Sequence, residues 1–234
     1  MVPALAQYDW DVSIEVGDWF LYEGTLISYE SNFGFPPPYL EYLQTYNESD
    51  WMKYTVIDTS IQGFINFTIV THWSNGTETS MDYAEDIMNS ESLMVIGANL
   101  TDHEEIRPEY LLLGFWPMPA RSLNESMMLV TTNGTRETNV AIYDWNIFEN
   151  IYHHTWYWDK KTGIIAYHEE YGDDLATENE GDLYSYHSKL ELVNSSLGII
   201  LPDLTGSILL LTLIAITIPI YLQKRRRQSK LFLS

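Results

Sequence analysis

No cysteine occurs in the 234 residues of the chain. Disulfide frameworks, thiolate zinc sites and cysteine nucleophiles are therefore excluded together. Cations are also scarce, with 12 Lys plus Arg against 33 Asp plus Glu and a formal charge of −21. Such an acidic surface offers no basic footprint for nucleic acid and does not adsorb to anionic lipid headgroups. The motifs of catalysis are missing too: there is no Gly-x-Ser-x-Gly elbow, His-Glu-x-x-His helix, phosphate-binding glycine loop or dinucleotide fingerprint. Carboxylate pairs such as Glu104/Glu105 and Glu169/Glu170 are expected by chance among 33 acids, and glycoside hydrolysis needs a separation that adjacency does not supply. The chain reads as a protein other than an enzyme. At 45% hydrophobic, with 17 Tyr and 8 Trp, it is too apolar to be a disordered acidic tail.

The charge is divided sharply along the sequence. Residues 1–203 hold all 33 acids and seven bases, a net −26, whereas Lys224, Arg225, Arg226, Arg227 and Lys230 give the end of the chain +5. Between them residues 204–222 carry no charge and are mainly Ile and Leu, with Pro219 near the end. As a helix this run spans roughly 28 Å, close to the hydrocarbon thickness of a bilayer. A buried core helix is the alternative, but the cations that follow at once favour a single membrane span. The positive-inside rule keeps the basic tail cytoplasmic and places the acidic domain outside, at the cell surface.

Export needs a signal, and Ala4-Leu5-Ala6 before Gln7 has the small-x-small form of a signal-peptidase site. Residues 1–7 are read as the remnant of a signal peptide or cleavage region; a tail-anchored cytosolic protein is the competing reading. The expected organisation continues with an extracellular β-rich domain over 8–195, a tether over 196–203, a transmembrane helix over 204–222 and a basic cytoplasmic tail over 223–234. Glycosylation acceptors agree with it. Asn47, Asn66, Asn75, Asn99, Asn124, Asn133 and Asn194 are each followed by x-Ser/Thr, seven of 13 asparagines, where chance gives about two. All lie on the proposed outer side, as a glycoprotein ectodomain requires, although Asn-Gly-Thr at 75–77 and 133–135 also suits turns.

Within 8–195 the hydrophobic period is two. Runs rich in β-branched and aromatic residues predict strands over 16–29, 53–59, 63–73, 77–83, 127–132, 135–145, 151–158, 164–171 and 183–193. Asn75-Gly76 and Asn133-Gly134 predict hairpins, and Asp159-Lys160-Lys161-Thr162-Gly163 predicts a turn with Gly163 in the left-handed position. Pro36-Pro37-Pro38 before 39–46 predicts a short helix, and 102–106 a second helix start. The fold class is α+β, mainly antiparallel β: a curved meander sheet or half-barrel covered by one or two short helices, with one C-terminal transmembrane helix.

The segments Val16-Gly17-Asp18-Trp19-Phe20-Leu21-Tyr22-Glu23 and Trp156-Tyr157-Trp158-Asp159-Lys160-Lys161-Thr162-Gly163-Ile164-Ile165 resemble the two ends of archaeal single-pass surface proteins with a β-rich ectodomain. The strand-turn-strand ending in Asp-x-x-Thr-Gly is also similar in pattern to the half-open β-barrel of lipoprotein carriers. That resemblance implies a sheet wrapped around a helix or an acyl chain. Unlike those shuttles, a chain held by its own span does not cross a compartment.

Two groups of side chains are candidates for chemistry. If Asp159 pairs with Gly163, His154 faces His168 across the hairpin, and with His187 on the next strand a metal site is conceivable; ordinary packed histidines are the simpler reading. Residues 171–182 concentrate oxygen ligands and would take calcium, but Ala176 breaks the EF-hand spacing and a solvated loop is simpler. No other cofactor is called for. The aromatic residues Trp156, Trp158, Tyr167 and Tyr184 are the candidate ligand-binding surface. The expected function is a cell-surface binding module for an apolar or glycan ligand, lipid or surface protein; the alternative is a structural coat component of the cell envelope.

Overall fold

A computed structural model describes residues 13–32, 40–61, 63–87, 93–107, 110–112, 116–118, 120–131, 134–147, 150–176 and 183–197. The expected span at 204–222 and the sequence before residue 13 lie outside these. Among the described residues no helix is long and apolar enough to cross a membrane.

The fold is mainly antiparallel β. Strands β1 (Trp19–Ser31), β2 (Ser49–Asp58), β3 (Phe64–Trp73), β4 (Glu78–Asp86), β9 (Glu125–Thr131), β10 (Gly134–Ile147), β11 (Asn150–Asp159), β12 (Ile165–Ala176) and β13 (Leu183–Ser195) form one nine-stranded sheet. These are the nine runs of period two, shifted by a few residues at their ends. The intervening β5 (Glu105–Arg107), β6 (Tyr110–Leu112), β7 (Trp116–Met118) and β8 (Arg121–Ser122) make two small pairs, β5 with β8 and β6 with β7.

Two meanders compose the large sheet, in the order β4-β3-β2-β1-β13-β12-β11-β10-β9. The first strand of one lies antiparallel to the last strand of the other, Phe20 opposite Ser195 and Ser31 opposite Tyr184. Edges β4 and β9 do not meet, so the sheet is open and not a half-barrel. The outward acids of β4, including Glu78 and Asp82, guard one edge against further strand pairing.

One helix, α1 (Glu41–Glu48), packs on β1, β2 and β13. Leu40 and Leu43 point from it into a cluster with Tyr184 and Tyr186. Gly24 permits this approach: a Cβ there would lie 2.3 Å from a ring carbon of Tyr46. The second expected helix is absent. At 102–106 the chain turns, with His103 at φ 67, because Leu123 takes the backbone: His103 N donates to Leu123 O at 3.1 Å and Leu123 N to Glu104 O at 2.9 Å. Ile106 is thereby drawn into the main core with Leu93, Val95, Trp156 and Trp158.

The hairpin between β11 and β12 is fixed from both sides. Asp159 Oδ1 accepts the Thr162 N–H and hydroxyl, each at 3.0 Å, and Gly163 N donates to Asp159 O at 2.8 Å. The buried segment 93–98 runs against the turn, where Ile96 N donates to Gly163 O at 2.9 Å. Gly163 has φ +73, and a Cβ on it would sit 2.1 Å from Ile96 O. Gly163→Ala is expected to cost about 2–4 kcal/mol, the left-handed strain and the overpacking together, and roughly 5–15 °C in Tm. Gly76, also at positive φ but with nothing within 4 Å, provides the control. Calorimetry showing equal losses for the two alanine variants would refute the packing argument.

Candidate functional site

Alternation along the strands gives the sheet two chemically different faces. On one, β11 presents Tyr152, His154, Trp156 and Trp158, and β12 presents His168 and Glu170. The register places Trp156 opposite His168 and His154 opposite Glu170. This differs by two from the expected pairing of His154 with His168. One residue of slip arises because Asp159 pairs with Ile164, its N–H donating to Ile164 O at 2.8 Å, and another at the bulge between Tyr157 and Trp158. An even slip leaves every side chain on its face. His154 and His168 therefore still meet, now on a diagonal.

Their rings form part of a flat stack. Trp156 is parallel to His154 (4.8 Å between centroids, 3°) and to His168 (5.1 Å, 6°), with Trp158 continuing it at 6.1 Å. His154 Nδ1 and His168 Nε2 lie 3.3 Å apart, so one imidazole N–H donates to the other. Arg121 of β8 covers the stack, its guanidinium 5.3 Å from the Trp156 ring and 5.4 Å from the Tyr143 ring. Beside it Glu170 accepts the Tyr42 hydroxyl at 2.8 and 2.9 Å and the Tyr186 hydroxyl, which ties α1 and β13 to β12. His154 Nε2 is 3.9 Å from Glu170 Oε1.

Burial governs the protonation of this cluster. It lowers His154 to about 2, helped by His168 and Arg121, and His168 to about 3 against the pull of Glu169. Both rings are neutral at pH 7. Burial also pushes the Glu170 carboxyl up, against the hydrogen bonds from Tyr186 and Tyr42. It raises the two tyrosines as well, with Glu170 the next cause for each.

The other face carries His187. It bonds Glu169 at 2.7 Å and stacks on Tyr171 at 4.0 Å, so it does not join His154 and His168. Glu170 takes the third place in their cluster, and its position two residues from His168 is the sequence signal that would have found it. Arg121 had no such signal. Burial opposes ionisation of Glu169, but bonds from His187, Tyr171 and Tyr167 outweigh it and hold its carboxyl low. Of the expected oxygen-rich loop, residues 171–176 are the end of β12 and 177–182 lie outside the described residues.

The aromatic residues also divide. Trp158 is 0% exposed, Trp156 2% and Tyr184 2%, so all three are core and form no ligand surface. Tyr167 faces the other way. It meets Tyr157 edge-on at 5.7 Å and lines an open surface depression of about 390 Å³ with Leu129, Val130, Glu169 and Glu191. Among the acceptor asparagines, Asn47, Asn75, Asn99, Asn124 and Asn194 are exposed and Asn66 is half-buried; Asn133 lies outside the described residues. No protein-family model matches the chain, and neither does any curated protein.

Proposed function

We propose that the chain is a membrane-anchored, glycosylated cell-surface module of the archaeal single-pass type, which binds a glycan on the outer face of its sheet. The open depression beside Tyr157 and Tyr167 carries this reading. Its volume of about 390 Å³ lies at the lower end of small-ligand sites, and its open shape suits a sugar lying on the surface. Tyrosine rings offer flat apolar area to the C–H face of a sugar, and the Glu169 and Glu191 carboxylates accept its hydroxyls. The division of charge, the uncharged run at 204–222 and the excess of acceptor asparagines support the anchored, external setting.

Titration of the purified full-length chain with a set of defined oligosaccharides tests the proposal. Tyr167→Ala is expected to weaken binding tenfold or more with little change in Tm, because the ring lies on the outer face. No binding by the parent chain would sink the glycan reading. Protease protection of residues 1–203 in intact cells would sink the external one. A filled core face, with Trp156 and Trp158 fully packed, favours the second reading, a structural envelope component, and lateral association without sugar binding would support it.

A further inference from the structure

We propose that His154, His168 and Glu170 form a binding site for one divalent transition-metal ion, with zinc the best chemical match. Two imidazoles and a carboxylate are the donor set of open tetrahedral zinc sites. One donor atom from each residue lies within 4.8 Å of the other two. The 3.3 Å between His154 Nδ1 and His168 Nε2 is also the edge of a tetrahedron whose zinc–nitrogen bonds are about 2.0–2.1 Å.

The surroundings hold these donors ready. The Trp156 ring lies parallel to both imidazoles and keeps them side by side. Burial keeps both rings neutral, the form that ligates. Tyr42 and Tyr186 donate to Glu170 and orient it, as outer partners do for ligating carboxylates.

In the metal-free protein the two nitrogens share a proton. They face along the line between the rings, since the 5.6 Å centroid separation is the 3.3 Å gap plus the two ring radii. An ion sits beside that line after a modest turn of each ring about its Cβ–Cγ bond. The shared proton passes to the far nitrogen of the ring that donated it, and both imidazoles stay neutral. Glu170 ligates as the carboxylate, and water completes the shell. If Glu170 carries a proton, that proton is released to solvent.

Among the described residues, surface pairs are the competing sites. His72 lies 3.7 Å from Asp50 and 3.3 Å from Glu78, His187 bonds Glu169, and His153 lies 2.5 Å from Asp144. Cobalt(II) titration of the chelator-treated full-length chain separates them. The expected result is one equivalent bound with the visible band of tetrahedral cobalt, displaced by zinc, which raises Tm. Glu170→Gln and His168→Gln are expected to lower affinity at least 100-fold, and Tyr42→Phe about 10–100-fold. His72→Gln, His153→Gln and His187→Gln leave it unchanged. Absence of stoichiometric cobalt binding by the parent chain overturns the proposal even if the core variants misfold. So does loss of binding in a surface variant alone.

Discussion

Asp159→Ala is expected to cost about 4–5 kcal/mol, because it leaves a buried guanidinium uncompensated and two turn donors unpaired. Arg136 Nη1 lies 3.1 Å from Asp159 Oδ2, and both side chains are 5% exposed. The other carboxylate oxygen holds Thr162. One carboxylate thus neutralises a cation from β10 and closes the hairpin that begins β12. Roughly 10–20 °C in Tm corresponds to this loss. Asp159→Asn keeps an acceptor for Thr162 and isolates the charge term. Adding Arg136→Met to it is expected to recover part of the stability, since the stranded cation is removed. Urea unfolding of the three variants gives the comparison. A double variant less stable than Asp159→Asn would refute the account.

Acid should destabilise the domain well before its carboxylates are exhausted. Folded His154 and His168 titrate at about 2 and about 3, whereas in the unfolded chain they do so near 6.5. Their contribution is present in full above pH 6.5 and is lost as pH falls from there towards the folded values. Between those limits the unfolded state binds more protons, so stability falls with pH by up to about 1.4 kcal/mol per unit for each ring. Glu170 acts in the opposite sense. Its raised carboxyl contributes stability fully present below its ordinary value of 4.5 and lost as pH rises through the folded one. Each ring then loses up to about 2 kcal/mol of stabilisation between pH 6.5 and 4.5, and the Glu170 carboxyl offsets part of that loss. The urea midpoint followed over that range checks it. A flat profile would contradict the buried neutral pair, and His154→Gln should make the slope shallower.

Much of the sheet was legible because its signal is local. Alternation from Ile65 to Ile69 or from Tyr184 to Leu192 needs only neighbouring residues to be read. Turn chemistry was legible for the same reason at Asn75-Gly76 and at Asp159 to Gly163. Pairing of β1 with β13 was not, since nothing in either strand names its partner. The slip at the Asp159 hairpin was hidden because a bulge is a backbone event without a composition of its own. At the candidate site, parity carried His154 and His168 through that error. Parity also separates His187 from Glu170, yet it only became usable once β12 and β13 were known to be neighbours. The aromatic residues misled because β11 carries aromatic rings on both faces, and alternation alone does not say which face is the core. Burial of Trp156 and Trp158 depends on 93–98 and β8, which reach them from distant sequence.

The place where the two meanders join has a consequence in time. β1 is complete at Ser31, but its partner β13 does not begin until Leu183. During synthesis the first meander therefore emerges with the inner side of β1 unsatisfied, and it waits through nearly the whole domain for its partner. Contacts of such long sequence separation slow folding, since loop-closure entropy is lost before they form. Once made, β1 and β13 lie in the middle of the sheet, flanked by β2 and β12. The last strand to arrive thus ends in the interior of the sheet, with both of its backbone edges paired.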